Sequence, residues 1–526
     1  MKKNLSLRSM LMTSLVILAA VLSSCSKAYK KAIPADAPVV VELDVKHVGA
    51  KADFLAQKEQ VADLVLSIDP EDRELQKLAD AIRSPQDLGL DLLCPIYFFA
   101  VSSVDDGYFL AAVKDKEAVI KKLESFSKEI EVTSSDKLAW IEVNSRLVGV
   151  ITDDVLLLGS SNDRTTYRDL LDNDKSFFST DAGKFFTKHA EDITATLNME
   201  NLSRQAKREV RQTIERELRD AKPYLTDDMW EQLFELQWVV NLEFKSGEFD
   251  LNIFVDGAEN KKEYDVLTTK VSKDALKQIP ERNLIGLLAL GIDGPKYCEA
   301  IDKAMDETDT QFSGEEKMVY GMIKQVLRKT NGTLAFALSG KDIDDPDFLC
   351  LVPTPMEEVQ PYIALFESEI PKEIRIDGDA KGLSVTNIAT YEHGEAKPAF
   401  EHAANATSSY LYGYVDAEPL VETYFTERTR RTIPEEVRFL NAWRNLADLF
   451  DYLQLKADRR DAVSFEFILH EDDDNALALL LKQGIMVGAA CVEYDKVRAA
   501  RYQVEESIFD EDYYDFGDVE WEEVDD

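Results

Sequence analysis

The chain is poor in histidine, cysteine and positive charge, and each shortage closes off a class of function. Histidine occurs five times in 526 residues, at His47, His189, His393, His402 and His470. No HExxH and no paired histidines at helical spacing occur, so a zinc hydrolase of the common kind has no ligand set. A GxSxG nucleophile elbow, a Walker loop and a GxGxxG turn are missing as well. Lysine and arginine number 61 against 100 aspartates and glutamates, for a formal charge of -39. Phosphate recognition needs a basic surface, so nucleic acid is not an expected partner. Of the five cysteines, Cys94, Cys298, Cys350 and Cys491 are widely spaced and form no CxxC, which argues for buried thiols rather than a redox motif or a disulfide framework. Acidic pairs are too common here for a glycosidase dyad to be picked out. No catalytic residue, metal site or cofactor is expected.

The N-terminus is specific. Lys2, Lys3 and Arg8 precede an apolar run from Met10 to Leu22, which closes on Leu22-Ser23-Ser24-Cys25. The run is too short for a stable transmembrane helix, which needs about 20 apolar residues. A basic stretch, a short apolar core and small residues make a signal peptide, and the cysteine at the cut makes it a bacterial lipoprotein signal. Residues 1–24 would be removed, and Cys25 would carry the lipid that anchors the mature chain to a membrane. Residues 25–32, with Lys27, Lys30 and Lys31, read as a tether. No aspartate follows the cysteine and no acidic run comes after it, which favours the outer membrane and its periplasmic face.

The rest of the chain repeats itself in order. Ile33-Pro34 before Val39-Val40-Val41 matches Ile279-Pro280 before Leu284 to Leu290. Phe99-Ala100-Val101-Ser102 matches Phe336-Ala337-Leu338-Ser339, and Phe109 to Val113 matches Phe348 to Val352. Glu117, Val119, Leu123 and Phe126 match Glu357, Val359, Ile363 and Phe366, and Phe249 to Val255 matches Phe465 to Leu469. Glu259-Asn260 matches Asp474-Asn475. The expectation is an internal duplication with repeats at 33–277 and 278–490. Each repeat reads as α+β, with mostly antiparallel sheets and packed helices. Apolar periodicity predicts helices at Val48 to Leu66, Glu71 to Ile82, Lys116 to Phe126 and Leu202 to Ala221. Strands are expected at Ile96 to Val101 and Tyr108 to Val113, with a meander from Ala139 to Leu158 that turns at Asp153-Asp154. A hairpin is expected around Lys245-Ser246-Gly247. The stretch Pro419 to Leu453 reads as helix broken at Ile433-Pro434. The basic knot Arg428, Arg430 and Arg431 before that break reads as an ion-paired helix face. Asp44 and Asp293 read as caps. His393 and Glu401-His402 are close enough in sequence to meet around a metal, but an exposed loop is the plainer reading.

From residue 491 the chain is read as a disordered acidic, aromatic tail. No lysine or arginine follows Arg501, and like charges keep such a segment extended. Phe509, Tyr513, Tyr514, Phe516 and Trp521 are interleaved with the carboxylates, as in a short motif that docks on a partner.

With its lipoprotein signal, the segment Tyr29-Lys30-Lys31-Ala32-Ile33-Pro34-Ala35-Asp36-Ala37, the run Val39 to Val45, and Gly89-Leu90-Asp91 leading to Pro95-Ile96-Tyr97-Phe98-Phe99, the chain resembles a known group. These are the Bacteroidota lipoproteins grouped as "domain of unknown function 4836". The resemblance implies no activity and no site residues. The expected function is a non-enzymatic envelope lipoprotein that binds a protein or glycan partner through its lobes or tail. The alternatives are a glycan- or peptide-binding protein with an interlobe cleft and a carboxylate-based hydrolase.

Overall fold

A computed structural model describes residues 29–512, apart from 102–105, 136, 218–226, 257–267, 281–282, 308–313, 341–342, 344, 367, 369, 395–401 and 430–433. The fold is α+β. The first half contributes strands β1 (Val39–Leu43), β2 (Ile96–Ala100), β3 (Gly107–Ala112), β4 (Ile130–Ser135), β5 (Leu138–Val143), β6 (Arg146–Ile151), β7 (Val155–Gly159), β8 (Ile193–Asn198), β9 (Gln237–Phe244) and β10 (Glu248–Asp256). The second contributes β11 (Leu284–Asp293), β12 (Asn331–Ser339), β13 (Asp347–Val352), β14 (Arg375–Gly378), β15 (Leu383–Thr386), β16 (Leu411–Asp416), β17 (Phe450–Arg459) and β18 (Ala462–Leu469).

These strands form one 18-stranded sheet, not one sheet per lobe. Every pairing is antiparallel, and β10 meets β18 at the seam, with Leu251 opposite Phe465. Reading outward from the seam, the first half runs β10, β9, β8, β1, β2, β3, β7, β6. The second half runs β18, β17, β16, β11, β12, β13, β15, β14. The same strand order is laid down twice, and β5 and β4 then extend the first half alone. The halves join edge to edge, so their junction is a ladder of backbone hydrogen bonds.

One matched pair is out of register. Phe99 points into the first core and is 3% exposed, whereas Phe336 is on the other face and 42% exposed. Phe98 shares the face of Phe336. A slip of one residue reverses the faces of a strand, and both runs are apolar on both faces, so hydrophobicity alone could not set the register.

Two cores lie on what we call the inner face. In the first half Val40, Tyr97, Phe99, Leu110, Trp140 and Val239 pack under Tyr29, Ile33, Tyr167, Phe177 and Phe186. In the second half Leu287, Ala289, Ala335, Leu349 and Tyr412 pack under Leu276, Tyr391 and Ala406. Tyr29 Oη donates to the carbonyl of Pro95 at 2.8 Å, which ties the start of the described chain to β2. A third cluster on the outer face docks the helix Lys116–Phe126 through Val119, Ile120 and Leu123 onto β5, β6 and β7.

Local chemistry explains most element boundaries. Asp115 accepts from the Ala118 N–H and starts the helix Lys116–Phe126 where expected. Asp44 accepts from His47 N–H at 3.0 Å, and Asp293 from Lys296 N–H at 3.3 Å, so both act as caps. The helix expected from Val48 to Leu66 is two, Val45–Lys51 and Phe54–Ile68, because Asp53 between them is left-handed with φ 47°. Pro434 occupies the first position of the helix Pro434–Ala447, where its missing N–H costs nothing. That helix stops at Ala447, and Phe450 to Leu453, read as helix, belong to β17.

The tail starts further along the chain than residue 491. A single helix, Ala476–Asp512, runs through the boundary at 490/491 and well past Arg501. Residues 493–501 are mostly strong helix formers, and the acidic block starts only at Glu505, so charge repulsion comes too late to end the helix there. Cys298, Cys350 and Cys491 are free thiols. Cys94 is buried in the first core, with its Sγ 3.5 Å from Asp91 Oδ2.

Candidate functional site

The central strands invert the usual polarity of a two-faced sheet. Along β10, Asp250 and Asn252 face inward while Phe249, Leu251 and Ile253 face outward. Along β18, Ser464 and Glu466 alternate with Val463, Phe465 and Phe467, and along β17, Gln454 and Lys456 alternate with Leu453 and Leu455. Directly opposed residues share a face, so the pairings extend the apolar side strand by strand. It runs from Phe109 and Phe98 through Val41, Ala195, Val240 and Ile253 to Val463, and from Phe465 on the same face of β18 through Leu455 and Gly413 to Leu288, Phe336 and Cys350. From β3 to β13 that is twelve strands, about 50 Å at the usual strand spacing of about 4.8 Å.

A soluble sheet buries its apolar face. Here the cover is partial. Phe98, Leu288 and Phe336 are 47%, 50% and 42% exposed, and Val240, Leu251, Ile253, Phe465 and Leu455 are only half-buried. The helix Ala476–Asp512 touches this side at β10 and is flanked by the helices Phe54–Ile68 and Pro434–Ala447. The last is apolar nearly all round from Ala476 to Val492, a pattern that belongs to a buried helix or to a membrane. Its segment Ala476–Arg501 is long and apolar enough to cross a membrane, yet only 17% of its most apolar stretch is buried. It meets the sheet side at its root, where Ala476, Leu479 and Leu480 cluster with Phe249, Phe450 and Leu469.

Two apolar cavities open on this same face, one in each half. The first, about 410 Å³, lies over β1, β2, β3 and β7 and is lined by Val39, Val41, Phe98, Phe109 and Leu158. The second, about 440 Å³, lies between β11, β12, β13 and the helix Gly314–Leu327 and is lined by Ile292, Leu334, Val352, Met322, Ile323 and Val326. Both volumes fall in the range of small-ligand sites, about 300–1,000 Å³. With almost no polar atom in either wall, they offer transfer free energy and shape, but no proton donor or nucleophile for chemistry.

The inner face at the seam is polar and largely paired. Glu243, Asp250 and Glu466 stand in one row across β9, β10 and β18. Opposed like charges cost stability unless countered. Lys245 binds Asp250 and lies 3.3 Å from Glu248 and 3.6 Å from Glu243, and Lys456 pairs with Glu466 at 2.6 Å. Partial burial pulls the Lys245 ammonium down, but its three carboxylates hold it above the ordinary lysine range. Gln454 donates to Glu466 at 2.6 Å, Asn252 to Asn241 at 3.0 Å, and Asn241 to the His189 carbonyl at 2.7 Å.

The histidines do not converge. His393 Nδ1 is 3.2 Å from Ser384 Oγ, and its Nε2 is 3.7 Å from Asp379 Oδ1. This has the composition of a serine hydrolase triad, but Ser384 is fully buried and its hydroxyl has no path to a substrate. His402 instead lies against Tyr452 and Tyr414, with ring centroids at 4.3 Å and 5.3 Å. Glu401 lies outside the described residues. Among the described residues no group of three or more His, Cys, Asp or Glu is placed to hold a metal.

The profile of the family described as "Domain of unknown function (DUF4836)" matches residues 29–366. The chain belongs to this family. The matched stretch begins at Tyr29 and passes through β11, β12 and β13, so it takes in both cavities and the β10 side of the seam, while β18 lies beyond it. Two crystal structures of TP0453, forms III and I, resemble this DUF4836 chain at 10% identity. The first covers 43% of this chain and 78% of that chain with a TM-score of 0.26, and the second 43% and 76% with a TM-score of 0.24. At such scores the likeness supports no inference about this family member. No curated protein matches it.

Of the site residues expected from sequence, Cys25 lies outside the described residues, as do Tyr513, Tyr514, Phe516 and Trp521. Phe509 is on the helix Ala476–Asp512. Arg430 and Arg431 also lie outside the described residues. Sequence reasoning missed the outer face. Its signal was present as strict alternation in Leu251/Ile253, Phe465/Phe467 and Leu453/Leu455, but alternation does not say whether the apolar side will be covered.

Proposed function

We propose that the chain is a non-enzymatic, lipid-anchored envelope protein that holds an apolar ligand on the outer face of its sheet. The observation that carries this is the unbroken apolar face across twelve strands, left half-buried under helices and opening into two apolar cavities. Covering apolar surface is worth roughly 25 cal/mol per Å², so a ligand chain on this face gains affinity without any polar anchor. The lipobox ending at Cys25 supports the anchor, the absence of an acidic signal after it supports the outer membrane and its periplasmic face, and the twice-repeated strand order supports an origin by duplication. The tail aromatics remain candidates for docking an envelope protein.

The test combines anchor and ligand. Cys25→Ala is expected to move the protein from the membrane to the soluble fraction. The soluble form is expected to enhance the fluorescence of the uncharged apolar probe N-phenylnaphthylamine saturably. A variant that stays in the membrane refutes the anchor, and a linear, unsaturable probe response refutes the apolar site.

A further inference from the structure

Resting on the apolar-ligand reading, we infer that the ligand is a long-chain acyl amphiphile with an uncharged or zwitterionic head, and that the helix Ala476–Asp512 is the gate through which it enters. The apolar strip is long and narrow, about 50 Å by two or three side chains per strand. That shape suits an extended, flexible chain better than a compact ring system. A net charge of -39 disfavours an anionic head at the rim.

The gate is hinged at one end. The Ala476 N–H donates to the Lys245 carbonyl at 2.8 Å, and Asn475 Oδ1 accepts from the Leu477 N–H at 3.0 Å, which roots the helix in the β9–β10 turn. Beyond its first turns the helix is held by other helices. Gly488 lies against Leu64, so close that a Cβ there would be 2.8 Å from Leu64 Cδ2. Lys496 Nζ donates to the Ser67 carbonyl at 2.7 Å, Tyr494 stacks on Phe439 at 5.1 Å, and Glu493 pairs with Arg438 at 2.9 Å. The polar contacts among these are exposed and screened, the kind that holds weakly. The closed contact also buries Gln57 Oε1 and Gln483 Oε1 without partners, a penalty that lifting the helix relieves. Phe54–Ile68 belongs to the first half and Pro434–Ala447 to the second, so the closed helix straps the two halves across the apolar face.

The test is a reversible lock. Leu64→Cys with Gly488→Cys is made in the soluble Cys25→Ala form with Cys94, Cys298, Cys350 and Cys491 also alanine, so that the new pair is the only disulfide that can form. Uptake of N-phenylnaphthylamine, and its displacement by monopalmitoylglycerol, are followed with the lock oxidised and then reduced by mild thiol. Oxidation is expected to slow probe association at least about tenfold, with reduction restoring it. Equal rates in the two states overturn the gate while leaving the apolar site standing. Probe binding that monopalmitoylglycerol cannot displace overturns the acyl class. Probe lost on concentration-dependent dimerisation makes a second copy the occupant and overturns the inference. No saturable binding in either state refutes the apolar-ligand reading itself.

Discussion

Placing two aspartates on the outer face, Leu288→Asp with Phe336→Asp, separates a binding surface from a structural one. Leu288 and Phe336 are directly opposed on β11 and β12 and are 50% and 42% exposed. Full burial of such side chains is worth about 1.5–3 kcal/mol, so at half exposure each replacement forfeits about 1 kcal/mol of folding free energy. For a chain of this size the melting temperature should fall by only about 1 °C per kcal/mol. The ligand suffers more. Two carboxylates under an apolar chain must be desolvated or keep water in the groove, at a cost of about 1–3 kcal/mol or more for each unpaired polar group. The dissociation constant for N-phenylnaphthylamine is therefore expected to rise at least about tenfold, which corresponds to about 1.4 kcal/mol. Scanning calorimetry and a fluorescence titration measure the two quantities on one sample. Leu349→Asp is the contrast, since Leu349 is fully buried in the inner core and should leave no cooperative transition. Unchanged probe affinity in the folded double variant would refute the assignment of this face as the site.

Two further outcomes follow from the fold. Glu42 is buried, and burial raises its carboxyl pKa above the ordinary value, with Lys30 pulling the other way. The folded state therefore holds this proton more tightly than the unfolded chain, and stability is lost as pH rises from the unfolded to the folded value. Glu42→Gln should raise the melting temperature at neutral pH and flatten its fall across that window; a variant no more stable than wild type at neutral pH sinks this account. Gly247 has φ +68°, and a Cβ there would lie 2.7 Å from Asp472 Cα. Gly247→Ala should cost about 1–3 kcal/mol and, by disturbing the turn that roots the C-terminal helix, speed amide exchange in Ala476 to Leu480. Exchange there at the wild-type rate would show that the turn does not hold the helix.

Much of the fold was legible. Capped helices with one apolar stripe, such as Lys116–Phe126, announce themselves through a side-chain oxygen and a period of 3.6 residues, both local properties. The hairpin at Lys245-Ser246-Gly247 was readable because a left-handed position calls for glycine. The break at Asp53 was not, since aspartate also fits a helix end or a cap. The helix through Cys491 to Asp512 was hidden by acidic composition, which describes solvent preference and not backbone conformation. The outer face was half legible: its alternation is written in β10, β17 and β18, but not the absence of a full cover.

By itself the sequence determined the α+β class, because that rests on local patterns of polarity and residue type. The tertiary structure alone decided that the halves share one sheet through β10 and β18, that Phe98 and Phe336 lie on the same face while Phe99 does not, and that this face stays partly open. Those outcomes depend on register and on which helices reach across the sheet, and a chain with apolar residues on both faces of its strands is compatible with more than one choice of each until the whole is packed.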